Sequence, residues 1–208
     1  MRNLLTGRGD QPEAARDDCD SKYGTETGGR VALDDLTIGH DSRRYGERYQ
    51  ASDPGVLRDA VAFIGLTPGD YTFVDLGCGK GRMLIAAAEL GFQSCVGVEF
   101  ADELAELAAR NVAACEFSHV SVVHGDAADY AFGDAPFLLY MFNPFSQQVM
   151  QRVREHLLRL KSPNYCIVYK NARWRQLFDE MPALRYIGSP PTQKAGVLGV
   201  HIWVPRER

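Results

Sequence analysis

The sequence predicts an α/β fold with a doubly wound, mostly parallel seven-stranded sheet, an antiparallel C-terminal edge and helices on both faces. Two observations predict it. Seven short apolar runs occur between residues 71 and 204, and most are separated by amphipathic helical patterns, as in consecutive strand–helix units. The last two runs, over residues 183–187 and 197–204, have no convincing helix between them, so they are expected to form the antiparallel edge.

Composition and charge agree with one globular domain. The chain has 208 residues, of which 45% are hydrophobic and 10% aromatic, enough for one sizeable core. The net charge of −4 combines an acidic region, residues 53–150 with 13 acidic and 4 basic residues, and a basic region, residues 151–208 with 4 acidic and 11 basic residues. Because the basic residues are spread over many elements, solvated faces are favoured over an acidic partner such as nucleic acid.

The cysteine pattern indicates a reducing compartment. The five cysteines are odd in number and none are spaced as C-x-x-C, which argues against a disulfide framework and a zinc site. The five histidines also lack metal-ligand spacing. The N-terminus has no apolar signal-peptide region, and no apolar run approaches the ~18 residues that span a bilayer. We therefore expect a cytoplasmic protein without a metal site or a membrane partner.

Three segments are predicted along the chain. Residues 1–22 are polar and rich in Asp, Arg and Gly, so they are expected to form a disordered tail. Residues 23–52 contain scattered apolar residues and several glycines, which predicts an irregular leader or lid segment that packs against the main domain. Residues 53–208 are expected to form that main domain.

The main domain is predicted to begin with a helix. Asp53 is its expected N-cap, Pro54 its first residue and Gly65 the residue that ends it. The other predicted helices cover residues 82–90, 102–112, 146–160 and 174–180, and the other predicted strands cover residues 71–74, 95–99, 120–123, 137–142 and 165–169. In such sheets, ligands bind outside the carboxyl ends of the strands.

A glycine turn follows the first strand of the main domain, in the run Asp75-Leu76-Gly77-Cys78-Gly79-Lys80-Gly81. Glycine allows positive φ and lets a ligand approach the backbone, while the start of the next helix favours a negative group, here a carboxylate. The dinucleotide fingerprint is G-x-G-x-x-G. The spacing here is G-x-G-x-G, which disfavours a nicotinamide dehydrogenase.

This run resembles the first motif of the class I methyltransferases, D/E-x-G-x-G-x-G, at every fixed position. The resemblance extends over about residues 53–208. It implies S-adenosylmethionine as cofactor and S-adenosylhomocysteine as product. The patterns Tyr23-Gly24-Thr25-x-Thr27 and Leu33-Asp34-Asp35-Leu36 are also similar to the leader of a group of small bacterial methyltransferases. That similarity implies a lid over the cofactor with Tyr45 or Tyr49 reaching in; the alternative is that these aromatics pack a surface loop down.

The resemblance also implies roles for residues at the strand ends. The backbone around the glycine turn would hold the carboxylate of the cofactor, and Asp75 would accept from its ammonium group. Glu99 would accept from both ribose hydroxyls, with Phe100 on the adenine face. Asp126 would accept from the adenine amino group, and the N–H of Ala127 would meet the ring. The predicted cofactor-binding residues are Asp75, Gly77, Cys78, Gly79, Gly81, Glu99, Phe100, Asp126 and Ala127.

Each acid also has a structural alternative. Asp75 can cap the neighbouring turn, Glu99 can be an ordinary surface glutamate, and Asp126 can be the N-cap of a short helix that begins at Ala127. For Asp126, different atoms of one turn can serve both roles. The position of all three acids at consecutive strand ends favours ligand binding.

Asn143-Pro144-Phe145 follows the fourth predicted strand and bears on the reaction type. It resembles the D/N-P-P-Y/F motif of methyltransferases that act on amino or amide nitrogen, but it lacks the second proline. The resemblance implies that Asn143 is catalytic: its side-chain oxygen would accept from the target nitrogen and aim the lone pair at the methyl group, with the aromatic residue packed on the substrate. The alternative is a tight Asn-Pro turn.

The predicted function is methyl transfer from S-adenosylmethionine to an unidentified acceptor, an amine or amide nitrogen of a protein or a small molecule. Nucleic acid is a less favoured acceptor. A second hypothesis is a sensor or accessory protein that binds S-adenosylmethionine without turnover. It shares every cofactor residue and differs only at Asn143 and the pocket around it.

Overall fold

The computed structural model describes residues 18–31, 49–142, 145–161, 164–193 and 199–206. The N-terminal part contains a short helix, α1 (Asp18–Tyr23), and a small antiparallel ladder of β1 (Arg30–Val31) with β2 (Tyr49–Gln50). The main sheet comprises, in chain order, β3 (Thr72–Leu76), β4 (Ser94–Glu99), β5 (Val120–His124), β6 (Phe137–Phe142), β7 (Tyr165–Lys170), β8 (Leu184–Gly188) and β9 (Val200–Pro205).

The strand order of this seven-stranded sheet is β5-β4-β3-β6-β7-β9-β8. The first five strands in that order are mutually parallel, whereas β9 is antiparallel to both β7 and β8. The predicted fold class is therefore confirmed, including the antiparallel C-terminal edge.

Helices cover both faces of the sheet. They are α2 (Gly55–Ile64), α3 (Arg82–Glu89), α4 (Asp102–Ala114), α5 (Gln147–Leu158) and α6 (Gln176–Asp179), with 3₁₀ turns at Pro68–Asp70 and Ala127–Asp129. Strand β6 is buried on both of its faces. Leu138 and Tyr140 lie in the core with α2, α3 and α4, whereas Leu139 and Met141 lie in the core with α5 and α6. Burial on both sides explains why this strand is apolar throughout.

Strand β3 is the point at which the order of strands reverses. The chain adds β4 and β5 on one side of β3 and then β6 and β7 on the other. Such a reversal opens a crevice at the carboxyl ends of the strands, where ligands of open α/β sheets bind. The glycine turn begins directly after β3, so the fold places it at this crevice.

The predicted boundary of the disordered tail at residue 22 was wrong for residues 18–22, which form most of α1. The Lys22 ammonium and the Tyr23 hydroxyl both contact the Glu89 carboxylate, at 2.6 and 2.9 Å. These contacts join distant parts of the chain, so the polar composition of this segment could not reveal them. The remaining predicted tail, residues 1–17, lies outside the described residues, as does Tyr45, and the side chain of Tyr49 is not described.

The start of α2 also differs slightly from the prediction. Its N-cap position is Pro54 instead of Asp53. The Asp53 carboxylate accepts the N–H of Gly55 at 2.8 Å, a local turn that shifts the helix start by one residue. Gly65 ends the helix in the left-handed region, at φ 74°, as predicted. No helix in the described part of the chain is long and apolar enough to cross a membrane.

Candidate functional site

The glycine turn connects the end of β3 to the start of α3. Gly77, Gly79 and Gly81 all have positive φ, at 78°, 54° and 85°. The N–H groups of Gly77 and Cys78 donate to the Val98 carbonyl of β4 at 2.8 and 3.1 Å, which fixes the first half of the turn. A backbone with three left-handed positions in five residues needs glycine at those positions, as the motif predicted.

Strand β4 approaches this turn closely at Gly97. A Cβ atom at Gly97 would lie 2.7 Å from the Cys78 sulfur and 2.6 Å from a methyl carbon of Leu84 on α3. Cys78 itself is 5% exposed, and burial raises the pKa of its thiol well above its usual range. The side chain of the predicted cofactor residue Cys78 therefore packs in the core between the turn and β4.

Glu99 ends β4 beneath the turn and is 4% exposed. One carboxylate oxygen accepts the N–H of Gly79 at 2.8 Å, and the other accepts the N–H groups of Phe100 and Ala101, each at 3.0 Å. Burial raises the pKa of Glu99, although these three donors and the nearby charge of His124 oppose the rise. It is a buried structural anchor, not the surface glutamate of the alternative hypothesis.

Asp75 lies on β3 beside Gly97 of β4 and is 3% exposed. Among the described residues, no hydrogen bond to the Asp75 carboxyl occurs. Burial, and then the charge of Glu99, raise the pKa of Asp75 well above its usual range. The site thus contains two buried acids on neighbouring strands, and a cationic ligand would stabilise their charged forms.

The end of β5, the third strand of the main sheet in chain order, lies beside the end of β4. Gly125 donates its N–H to the Glu99 carbonyl at 2.9 Å, which brings the segment after β5 next to β4. Asp126 caps the short turn that follows, because its carboxylate accepts the N–H of Ala128 at 2.8 Å. The capping alternative for Asp126 is therefore confirmed. Ala127 is buried, and Phe100 is partly buried against the same core.

The fourth strand end is only partly visible, because Asn143 and Pro144 lie outside the described residues. Phe142, the last residue of β6, is paired in register with Lys170 of β7. The Lys170 ammonium lies 4.4 Å from the centre of the Phe142 ring, and burial lowers the pKa of this lysine. The Lys170 ammonium and the Phe142 ring therefore lie next to the point at which the chain leaves β6 and enters the Asn-Pro-Phe motif.

Phe145 does not fit the role that the motif implies for its aromatic residue. It is 7% exposed and belongs to the core with α5 and α6. The indole N–H of Trp174 donates to its carbonyl at 3.3 Å, which ties the motif to the segment after β7. The expectation that this aromatic packs on the substrate was therefore wrong; Phe142 is the partly exposed aromatic beside Lys170 at this edge.

Two residues of the turn have contacts that the sequence did not predict. Lys80 and Arg82 are 6% and 7% exposed. Lys80 donates to the Gly28 carbonyl at 3.0 Å, and the Arg82 Nε donates to the Thr27 hydroxyl at 3.1 Å. The only sequence signal was a basic residue on each side of Gly81.

The residues that the structure brings together can hold a small ligand with an amino acid end and a sugar. Asp75 and Glu99 lie on neighbouring strands next to the glycine turn, and the segment with Asp126 and Ala127 is bonded to the end of β4 through Gly125. Within the part of the chain that the structure describes, no group of three or more His, Cys, Asp or Glu side chains could hold a metal ion.

Comparison with known proteins finds similarity in the central part of the chain. Residues 73–164 match the family model of a methyltransferase domain. Over 70 residues the chain is 33% identical to the ribosomal protein L11 methyltransferase of Clostridium botulinum. That match covers 34% of this chain and 22% of the relative, so the chain aligns with about a fifth of the relative's length.

Solved structures share the fold. The ribosomal protein L11 methylase from Lactobacillus delbrueckii subsp. bulgaricus has a TM-score of 0.55 at 14% identity, over 76% of this chain and 81% of that one. An RNA methyltransferase from Salinibacter ruber, in complex with S-adenosyl-L-homocysteine, has a TM-score of 0.51 at 20% identity, over 77% of this chain and 96% of that one. Residues 73–164 are therefore similar to a methyltransferase domain, and the chain shares its Rossmann-like fold with these methyltransferase structures.

Proposed function

We propose that the protein transfers a methyl group from S-adenosylmethionine to an amine or amide nitrogen of a protein or small molecule. The observation that carries the cofactor half of this proposal is the pair of buried acids, Asp75 and Glu99, on either side of a glycine turn at the switch point of the sheet. An amino acid end with an ammonium group, joined to a ribose, matches this arrangement of charge and hydrogen-bonding groups.

We assign each part of the cofactor to a different group of residues in the site. Asp75, buried without a hydrogen bond among the described residues, accepts from the ammonium group of the cofactor. The first turn of α3 offers N–H groups that lack partners within the helix, and these suit the carboxylate. Glu99 already accepts three backbone N–H groups, and the oxygen that meets Gly79 keeps a lone pair for a ribose hydroxyl. Asp126 and Ala127 border the position proposed for the adenine.

The transfer step requires positioning more than acid–base chemistry. The bound cofactor supplies a methyl carbon activated by its sulfonium. The protein must hold a nitrogen lone pair in line behind that carbon. We assign this task to Asn143, whose amide oxygen would accept a hydrogen bond from the target nitrogen. In support, β6 pairs with β3 through Asp75 and Tyr140, so the chain enters Asn143 from the strand next to the cofactor acid.

Two observations bear on the acceptor class. The Asn-Pro-Phe motif favours nitrogen, and the relative in Clostridium botulinum is named for a ribosomal protein, which favours a protein acceptor over RNA. Lys170 and Phe142 offer a cation and an aromatic surface beside the motif. The five free cysteines agree with action in the cytoplasm, where thiols stay reduced.

The experiment compares the full-length wild-type protein with Asn143→Ala and with a matched control, Asn164→Ala, at an exposed position before β7. Each protein is incubated with methyl-labelled S-adenosylmethionine and heated cell extract, which is then divided into protease-treated, nuclease-treated and small-molecule fractions. Affinity for S-adenosylhomocysteine is measured in parallel by calorimetry.

The proposal predicts label in a nitrogen-linked product that protease digestion or size fractionation identifies. Asn143→Ala should lose transfer by about 100-fold, because a misplaced acceptor lone pair costs that much, while its affinity for S-adenosylhomocysteine stays unchanged. Asn164→Ala should behave as wild type. Full transfer by Asn143→Ala would remove its assigned role. A wild-type protein that binds S-adenosylhomocysteine yet labels no fraction would instead support a sensor without turnover.

A further inference from the structure

An N-terminal segment, residues 20–28, folds around the carboxylate of Asp20. That carboxylate accepts the hydroxyl of Thr25 at 2.8 Å, both the N–H and the hydroxyl of Thr27 at 2.9 and 2.7 Å, and the N–H of Gly28 at 3.1 Å. These donors lower the pKa of Asp20 despite its partial burial. We call residues 20–28 the clasp. Four donor groups of this segment therefore converge on one charged side chain.

The clasp is bound to the two basic residues of the glycine turn. The Lys80 ammonium donates to the Gly28 carbonyl at 3.0 Å and to the Glu26 carboxylate at 3.2 Å. The Arg82 Nε donates to the Thr27 hydroxyl at 3.1 Å. Lys80 and Arg82 stand on either side of Gly81, so the clasp holds the turn on both sides of its last left-handed position.

A single buried amide joins the clasp, the turn and α4. Asn111 is 4% exposed. Its oxygen accepts the N–H of Glu26 at 3.0 Å, and its NH₂ group donates to the carbonyls of Glu26 at 3.2 Å and of Lys80 at 2.9 Å. The backbone carbonyl of Lys80 is therefore fixed by a network that includes the clasp.

Electrostatics make Asp20 important for this arrangement. Arg82 is the first residue of α3, where the helix dipole disfavours a cation, and burial lowers its pKa. The Asp20 carboxylate lies 3.7 Å from the Arg82 guanidinium and offsets this unfavourable position. Removing the Asp20 charge would therefore take a favourable ion pair from a buried cation at the positive end of α3.

We propose that Asp20 and Thr27 are positioning residues for the cofactor turn, and that docking of the clasp and binding of S-adenosylmethionine stabilise each other. The inference rests on the proposed cofactor site. A five-residue turn with three glycines has many accessible conformations, so fixing it before the cofactor arrives removes an entropic cost from binding. Coupling of this kind is reciprocal: the cofactor must stabilise the clasp by as much as the clasp strengthens cofactor binding.

The first test is calorimetric titration of the full chain with S-adenosylhomocysteine. Asp20→Asn keeps the shape of the side chain but removes its charge, and it should weaken binding by at least about fivefold, the lower end of typical coupling between sites. Glu106→Gln is the matched control. It makes the same acid-to-amide change in an exposed ion pair with Arg110 on α4, outside the clasp, and should leave affinity unchanged.

A double variant separates charge compensation from general damage. If Asp20 acts by neutralising Arg82, Asp20→Asn combined with Arg82→Met should bind better than the sum of the two single effects predicts. Strict additivity of the two effects would contradict this part of the inference. Thermal unfolding of each variant identifies any that has failed to fold, and Asp20→Glu, which restores the charge, should recover part of the affinity.

Hydrogen exchange supplies a measurement that a merely structural role would not affect. In the wild-type protein, S-adenosylhomocysteine should slow exchange of the amides of residues 25–28 as well as those of the turn. Protection confined to the turn, or affinity of Asp20→Asn equal to or tighter than wild type, would overturn the inference. Tighter binding would mean that Arg82, once released, meets the cofactor carboxylate. Failure of the wild-type protein to bind S-adenosylhomocysteine would overturn the proposed cofactor site itself.

Discussion

The Gly79 N–H donates to the Glu99 carboxylate at 2.8 Å, which connects the glycine turn to the end of the neighbouring strand β4. The same carboxylate accepts two more N–H groups from the residues that follow it. A side chain proposed to bind the ribose is thus also a structural tie. Its loss should affect both the fold of the crevice and the affinity for the cofactor.

Glu99→Gln should weaken binding of S-adenosylhomocysteine strongly. The amide has one acceptor oxygen, so its NH₂ group must face either the N–H of Gly79 or those of Phe100 and Ala101. Each charge-assisted hydrogen bond lost costs on the order of 1.5–3 kcal/mol, which corresponds to an increase in dissociation constant of roughly 10- to 150-fold in calorimetry. The control is Glu106→Gln, an exposed acid on α4 paired with Arg110, which should bind as wild type. Equal affinities for Glu99→Gln and wild type would remove Glu99 from the site.

Asp75→Asn should make the unliganded protein more stable at neutral pH. The pKa of Asp75 is raised in the folded state, so the folded protein holds its proton more tightly than the unfolded chain does. Stability is therefore lost as pH rises from the unfolded pKa, about 4, through the raised folded value. The neutral amide removes this loss. Urea unfolding should show a gain on the order of 1 kcal/mol at pH 7 that disappears near pH 3. A variant less stable than wild type at pH 7 would contradict this account.

Cofactor binding should respond to Asp75 in the opposite direction. The ammonium group of S-adenosylhomocysteine favours the charged carboxylate, so binding should release protons where the unliganded Asp75 is still partly protonated. Calorimetry in two buffers with different ionisation enthalpies measures that release. Asp75→Asn should bind more weakly and release fewer protons, whereas Asp70→Asn, at an exposed position in the turn before β3, should match wild type. Proton uptake on binding would show that Asp75 does not meet a cation.

Gly97→Ala should destabilise the protein, because the new methyl group would lie 2.6 Å from Leu84 and 2.7 Å from the sulfur of Cys78. Overpacking of this kind typically costs 1–3 kcal/mol, so roughly that loss is expected in urea unfolding. Gly133→Ala is the matched control, since its added carbon would meet no atom within 4 Å. An unfolding midpoint for Gly97→Ala equal to that of the control would show that β4 and the turn are less tightly packed than described.

Two buried tyrosines in neighbouring strands allow a comparison of how much a hydrogen-bonded and an unbonded hydroxyl contribute to the free energy of unfolding. The Tyr140 hydroxyl donates to Ser52 at 3.1 Å, whereas the Tyr165 hydroxyl has no hydrogen-bond partner in the described part of the chain. Tyr140→Phe should cost about 1 kcal/mol of unfolding free energy, because it leaves Ser52 without this donor. Tyr165→Phe should be neutral or slightly stabilising. Equal effects for the two variants would contradict the hydrogen-bond assignment.

Much of the fold followed from local signals in the sequence. Strand β6 and the strands around it are short apolar runs between helical patterns, and their order in the chain restricts a parallel sheet to few topologies. The positive φ values of Gly77, Gly79 and Gly81 were implied by their spacing. Asp75 and Glu99 were placed correctly at strand ends because such ends converge at one edge of the sheet.

The parts that sequence did not predict depend on contacts between distant residues. The contact of Asp20 with Arg82 joins a segment that looks polar and disordered to the first residue of α3. Phe145 was assigned to the substrate by motif, but it is buried in the core with α5 and α6. Periodicity and spacing report which face of an element is apolar, and they do not report which polar side chains from elsewhere cover it.

The most direct test of the central claim is calorimetric titration of the pure full chain with S-adenosylmethionine, S-adenosylhomocysteine and NAD⁺. We predict that the first two bind and that NAD⁺ does not, because we assign the glycine turn to an amino acid carboxylate and because the turn lacks the spacing of the dinucleotide fingerprint. Binding of NAD⁺, or failure of both sulfur compounds to bind, would contradict the cofactor assignment.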